Sequence, residues 1–440
     1  MAEVNSGAPS HHFTSPDGTS IPMYLVSFDK EGNCISPRTR EHLLAAAASG
    51  RFSDVHIYSH GWNNVFQEAL AHYTEFFSEY FQLPAMAAMH DAGYRPMIVG
   101  IIWPSTALLS ESERTPGLAS FSDAPHAVAG ELCADMTKDD AVRFGQLTGR
   151  EGSLSPAESL ELSRLLAPVL GKLARDDESG MPHAAPEQLL RSWGSRAQPG
   201  PGHVRGGPGI VDDHPDHTVE SAGLLSFLNP KEVLRKATVY LMKDRAGTVG
   251  SHGVHALLQD VQASKGIRIH LTGHSYGAKV VLAALSRLAD GASVTSVLLL
   301  QPAVNAFCFA AEIAHLDGRP GGYRSVLDKS RTPIYTTFSR MDKALNIFFP
   351  LALRRLRDQG EMAAQTDLFA ALGAGGPQGM GAETRQVAML AQPAEYGAAK
   401  AGVRICALDG SDRAINSHGD VRNPYTEWAL ANLVRQGMTS

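Results

Sequence analysis

Ile267-Arg268-Ile269-His270-Leu271-Thr272-Gly273-His274-Ser275-Tyr276-Gly277, continuing into Ala278 to Ala289, is the stretch that decides the fold. Its first six residues read as a short strand, and from Ala278 onward Val280, Val281, Ala284, Leu285 and Leu288 recur at helical spacing. Between the two lies a turn with glycines two before and two after a serine, the arrangement of a nucleophile elbow. So sharp a strand-to-helix turn strains the backbone of the serine and admits only small neighbours, which is what Gly273 and Gly277 supply. The short G-x-S-x-G pattern can arise by chance in a chain with 42 glycines, so the weight rests on the strand before it and the helix after it. Ser275 should then project from the carboxyl edge of a sheet.

Upstream, after a lead over 1–20 that reads as disordered, Ile21 to Phe28 is expected to be a strand and Glu41 to Ser49 a short helix ending at Gly50. Asp54 to Ser59 is a strand running into His60-Gly61-Trp62-Asn63-Asn64, with a helix from Val65 to about Phe81. Pro96 to Trp103 is an almost unbroken apolar run closed by Pro104, the composition of a strand buried on both faces of a parallel sheet, and is expected at its centre. Strand signals vanish over 105–229, an insertion expected to be helical and looped and to cap the site. Within it Ser155-Pro156-Ala157-Glu158 is a capping box with proline at the first helical position, and Leu162, Leu165, Leu166, Val169, Leu170 and Leu173 follow as one stripe, either a lid over an apolar pocket or ordinary core. The core resumes over 230–345 with a helix at Pro230 to Lys243, a break at Asp244 to Gly247, and a second helix around Val254 to Ala263. Beyond the elbow, Ser293 to Leu300 and Pro333 to Phe338 are the next strands. A second insertion spans 346–400, and 401–440 returns to the core with a strand at Val403 to Leu408 and a helix from Pro424 to Arg435. Strands alternating with helices imply an α/β fold, a mostly parallel central sheet flanked by helices, with ligands bound at the carboxyl ends of the strands.

Composition narrows the function. The chain has 440 residues, 43% apolar content and a net charge of −6, with no Lys/Arg run, which argues against nucleic-acid binding and against a polybasic membrane anchor. Met1 to Pro16 lacks the basic and apolar regions of a secretory leader and no long apolar run suggests integral membrane association, so a cytoplasmic location is expected. Four scattered cysteines, Cys34, Cys133, Cys308 and Cys406, make neither a disulfide framework nor a zinc site. Neither G-x-G-x-x-G nor a P-loop occurs, and no cofactor is expected. Asp212-Asp213-His214-Pro215-Asp216-His217 carries metal-ligand chemistry but crowds it, and reads as a solvated loop.

A serine hydroxyl attacks only when a base takes its proton, and the base needs an acid to hold its tautomer. In sheets of this kind acid and histidine follow the serine in the chain. Only His315 and His418 follow Ser275, and only His418 follows Asp342. His418 lies in the polar loop after the last strand, whereas His315 falls in the excursion before Pro333. Asp342 comes just past a strand end, at the edge of the sheet that carries Ser275; Asp317, Asp409 and Asp412 compete with it. An oxyanion needs two preorganised N–H donors. Tyr276, opening the helix after Ser275, offers one and Trp62, beyond Gly61, the other, while His60 and His274 read as structural neighbours.

Strand-HGWNN-helix, strand-GHSYG-helix, strand-SRMD and strand-loop-SHGD together resemble the α/β-hydrolase superfamily, and in particular its bacterial lipase- and esterase-like members, over about 21–104, 230–345 and 400–435. The resemblance implies Ser275, Asp342 and His418 as a catalytic triad, Trp62 and Tyr276 as the oxyanion hole, and a serine esterase or lipase acting on a small-molecule or lipid ester. Thioester or amide cleavage on the same triad, or a non-catalytic binding module on the same fold, are the alternatives.

Overall fold

The computed structural model describes residues 5–62, 64–106, 130–134, 136–150, 152–173, 230–348, 370–397 and 400–439. Along them run β1 (His11–Thr14), β2 (Ser20–Ser27), α1 (Pro37–Ala48), β3 (Asp54–Ser59), α2 (Phe66–Phe81), α3 (Ala85–Asp91), β4 (Pro96–Ile102), α4 (Lys138–Thr148), α5 (Pro156–Leu173), α6 (Pro230–Val249), α7 (His255–Gln262), β5 (Arg268–His274), α8 (Tyr276–Ser286), β6 (Ser296–Leu300), β7 (Ile334–Phe338), β8 (Thr384–Ala388), β9 (Ile405–Asp409) and α9 (Pro424–Thr439). The strands form one nine-stranded sheet in the order β1-β2-β4-β3-β5-β6-β7-β9-β8. β1 pairs antiparallel with β2, and every other pairing is parallel.

The period of two along each strand sorts the core into two layers. Val55, Ile57, Met97, Val99, Ile269, Leu271, Val297 and Leu299 face a cluster shared with α1, α6, α7 and α8. Tyr58, Ile98, Leu298 and Leu300 face the other, built on Phe76 and Phe77 of α2, Met86 of α3 and Trp428, Leu430 and Leu433 of α9. A sheet covered on both sides is why β4 reads as a continuous apolar run. β4 is interior, between β2 and β3, but the middle of the sheet is β5, the strand that carries the elbow.

Several expectations need correction. Part of the lead over 1–20 is ordered: His11–Thr14 is an edge strand whose Phe13 inserts beside Phe77 and Phe81. Asp244 to Gly247 is no break, since α6 runs through it and continues by a π-turn, Gly250–Val254, into α7. Gly250 is there for close approach: a Cβ on it would stand 2.3 Å from the carbonyl oxygen of Val280 in α8. Inside 346–400, β8 extends the sheet beyond β9, so that stretch is partly core.

The insertion over 105–229 is tied to the core where it is described. Ser155 and Glu158 close the expected capping box, Glu158 N–H on the Ser155 hydroxyl and Ser155 N–H on the Glu158 carboxylate. Pro168 lies within α5 without ending it. Leu162, Leu166 and Val169 are buried in the same cluster as Val233, Leu234 and Ala237 of α6. The buried Arg245 of α6 donates to the carbonyls of Pro104 and Thr106 and pairs with Glu131. Asp212 to His217 lie outside the described residues. Among the described residues no helix is long and apolar enough to cross a membrane.

Candidate active site

Three loops at the carboxyl edge of the sheet converge on one point. The first is the elbow after β5. Ser275 adopts φ 55°, ψ −123°, a conformation that non-glycine residues rarely hold, and the surroundings enforce it. Its N–H donates to Leu300 O at the end of β6, and its carbonyl accepts from Ala303 N–H. The flanking glycines are compulsory: a Cβ on Gly273 would lie 2.6 Å from Ala278 Cα, and one on Gly277 only 2.0 Å from Ser59 O.

The second loop follows β7. Asp342, with 0% exposure, opens a π-turn at Ala344–Phe348, and one carboxylate oxygen accepts the N–H of Leu345. Its other oxygen accepts from Gln301 Nε2 at 2.9 Å. Burial pushes the Asp342 carboxyl up, but the hydrogen bond and charge of His418 and the bonds from Gln301 and Leu345 outweigh it and hold the group below the ordinary carboxylate range.

The third loop, after β9, brings in His418. Its Nε2 is 2.8 Å from Ser275 Oγ and its Nδ1 is 2.7 Å from Asp342 Oδ2, so the three side chains form one continuous hydrogen-bonded line. An ionised Asp342 only accepts, so Nδ1 carries the proton and Nε2 presents a lone pair to the serine hydroxyl. Ser339 Oγ ties the β7 turn to the histidine loop through Ile415 O at 2.7 Å.

The other candidates stand on other local elements or have other partners. His315 lies in a single 3-10 turn, Ala314–Leu316, between β6 and β7. Asp317 caps that turn in a left-handed conformation, and Asp409 accepts the N–H of Ser411. His60 stacks on Trp103 at 5.6 Å and donates to Gly61 O, and burial pushes its ring down to about 4.

The HG turn after β3 lies directly on the elbow. A Cβ on Gly61 would stand 2.8 Å from Ser275 Cβ, so glycine is what lets this backbone reach the serine. Trp62 follows it, its ring 6.1 Å from that of Tyr276. Tyr276 opens α8, which puts its backbone N–H in the first turn of that helix, directly after Ser275.

The sequence reading missed the support of the acid. Gln301 is wholly buried, sits at φ 42°, and also takes the Thr337 hydroxyl on its side-chain oxygen and reaches Gly373 O. Its only trace in the sequence is a polar residue, followed by proline, at the end of an apolar run. Gly373, the first residue of a glycine-rich stretch running to Gly381, belongs here too, because its carbonyl oxygen accepts from Ser339 N–H and Gln301 Nε2.

Residues 236–357 match the model of a family described as "Alpha/beta hydrolase of unknown function (DUF900)", a stretch that holds Ser275, Gln301 and Asp342 and stops short of His418. No curated protein and no solved structure matches the chain. Taken with a parallel sheet whose middle strand ends in a glycine-flanked serine turn, this match over part of the chain supports assigning it the α/β-hydrolase fold.

Proposed function

We propose that this protein is a serine hydrolase that cleaves carboxylic esters through an acyl-enzyme on Ser275. The observation that carries the reading is the line from Ser275 Oγ through both ring nitrogens of His418 to the buried Asp342, at 2.8 and 2.7 Å. His418 Nε2 takes the hydroxyl proton as Ser275 Oγ bonds to the ester carbonyl carbon, and Asp342 stabilises the imidazolium so formed. The negative charge on the carbonyl oxygen meets the backbone N–H groups of Tyr276 and Trp62. As the C–O bond to the alcohol breaks, the imidazolium returns its proton to the departing oxygen. Water, deprotonated by the same nitrogen, then attacks the acyl carbon and frees Ser275. An ester asks least of this arrangement, since its alkoxide leaves more readily than an amide nitrogen. In this reading the enzyme works in the cytoplasm on a small-molecule or lipid ester and uses no cofactor.

The test is labelling of the purified protein by a fluorophosphonate probe, with Ser275→Ala as control, alongside hydrolysis of p-nitrophenyl esters of increasing chain length. Labelling confined to the wild type, with turnover of at least one ester, is the expected result. A wild type that neither labels nor turns over any ester refutes the proposal and leaves the fold as a binding scaffold; turnover of thioesters or anilides alone moves the reaction to those bonds.

A further inference from the structure

His274, the residue between Gly273 and the serine, is the last residue of β5, and its ring is almost wholly buried. Its Nε2 lies 2.9 Å from the backbone carbonyl oxygen of His418. A carbonyl only accepts, so Nε2 bears the proton and Nδ1 is left with a lone pair. That lone pair finds no partner among the described residues and abuts the HG turn, where a Cβ on Gly61 would stand 3.2 Å from it. The ring is clamped flat against His72 of α2, centroids 5.4 Å apart and planes 10° from parallel, and His72 is itself fixed by the Tyr58 hydroxyl at 2.7 Å. The His418 ring stands 5.1 Å away.

Burying a ring nitrogen without a partner costs stability, and leucine would fill a similar volume without that cost. The polar group that gives something in return is Nε2–H, and it holds the main chain of the residue proposed as base. Around that residue the loop is open, with Ser417 and Gly419 exposed. Burial, reinforced by the neighbouring His418, pushes the His274 ring down to about 3, so it stays neutral beside an imidazolium and does not compete for the serine proton.

We infer that His274 is a positioning residue, which spans from the HG turn to the base loop and fixes the carbonyl of His418 so that the imidazole points at Ser275. This rests on the ester-hydrolase reading above. His274 touches no reacting atom and acts only through His418.

The test compares His274→Leu, His274→Asn and His274→Gln with wild type on p-nitrophenyl butyrate, with thermal stability and fluorophosphonate labelling rates measured in parallel. Gln carries its amide nitrogen about as far out as Nε2, while Asn reaches only to Nδ1. Misplacing the base should lower kcat and the labelling rate about 10- to 100-fold in the Leu and Asn variants. KM should stay within about twofold, because the substrate's own contacts are untouched. Gln should restore most of the loss. A purely structural role would move stability and leave Gln and Asn alike. Leu retaining wild-type kcat, or Gln and Asn falling equally, overturns the inference; if Leu fails to fold, the Gln–Asn comparison decides by itself. A wild type inert to the probe overturns the ester-hydrolase reading and this inference with it, an outcome distinct from a reactive wild type with indifferent variants.

Discussion

Replacing Asp342 by asparagine keeps the volume and removes one charge, and the contacts around the carboxylate determine how much activity is lost. Three donors reach it: His418 Nδ1 and Gln301 Nε2 on one oxygen, and Leu345 N–H on the other. An amide has one acceptor and cannot serve both sides. With its oxygen toward His418, its NH2 meets the Leu345 N–H; the working tautomer survives, but the imidazolium loses its anion. The strength lost is that of a hydrogen bond to a charged group, about 1.5–3 kcal/mol, or roughly 10- to 100-fold in rate. With its oxygen toward Leu345, its NH2 faces Gln301 and forces the His418 proton onto Nε2, which removes the base; a serine-protease template puts that loss near ~10⁴. Each orientation strands one buried donor at a similar cost of about 1–3 kcal/mol, so both should be populated. The more active orientation carries nearly all the turnover of such a mixture, so the expected fall in kcat/KM is about 20- to 200-fold. Asp342 lies below the ordinary carboxylate range, so the wild type keeps this contribution at every pH from mildly acidic upward. The assay is p-nitrophenyl butyrate hydrolysis, with Asp409→Asn and Asp412→Asn in parallel. Near wild-type rates for Asp342→Asn, or a crippling effect of either other variant, would refute the assignment of the acid.

Three further outcomes rest on contacts already described or on neighbours of the same core. Ser275→Ala and Ser275→Gly should both be inactive, but Gly should melt higher, because only glycine relaxes at φ 55° while alanine keeps the strain, a difference of about 1 kcal/mol; equal melting temperatures would contradict this. Asp54 is buried at the start of β3, takes two bonds from Arg268 and one from His270, and is held below the ordinary carboxylate range because those partners outweigh burial. Asp54→Asn should cost about 3 kcal/mol at neutral pH. Because the folded carboxyl is depressed, this advantage is complete above the unfolded value near ~4 and fades as pH falls toward the folded one, so a gap in urea stability that stays constant down to pH ~2.5 would count against it. Glu427 of α9 behaves oppositely: burial, then the charge of Glu79, pushes its carboxyl from 4.5 up to about 7. The folded wild type is thus destabilised as pH rises between those values, by about 3 kcal/mol in all. Glu427→Gln should gain on wild type between pH 5 and pH 8, and parallel melting curves at both pH values would sink the claim.

What was legible in the sequence is what local chemistry dictates. Gly273 and Gly277 announce the elbow because backbone contacts at 2.6 and 2.0 Å forbid any side chain there. Chain order left His418 and Asp342 as the leading partners for it, and the structure brings His418 to Ser275 and Asp342 to His418. The features that escaped depend on partners far away in the chain. His11–Thr14 and Thr384–Ala388 carry little apolar alternation and are strands only because β2 and β9 offer them an edge. Gly247 and Gly250 look like helix breakers, yet α6 runs through the first and the π-turn starts at the second, where the absent side chains let this segment close on Lys279 and Val280 of α8. Gln301 resembles any polar residue at a strand end until Asp342, Thr337 and Gly373 are seen around it.

The line from Ser275 to His418 joins residues 143 positions apart, and that from His418 to Asp342 spans 76. Such contacts close late, after local helices and hairpins, because loop entropy must be overcome first. A ribosome that has released β5 to β7 but not yet β9 has made a serine and its carboxylate with no imidazole between them. If the ester-hydrolase proposal holds, the nascent protein is then chemically silent toward esters, and a molecule whose β9 frays returns to that silence. In the proposed enzyme the reactive group is thus switched on by completion of the sheet, and an unfinished or damaged copy carries a hydroxyl no more reactive than that of any other serine.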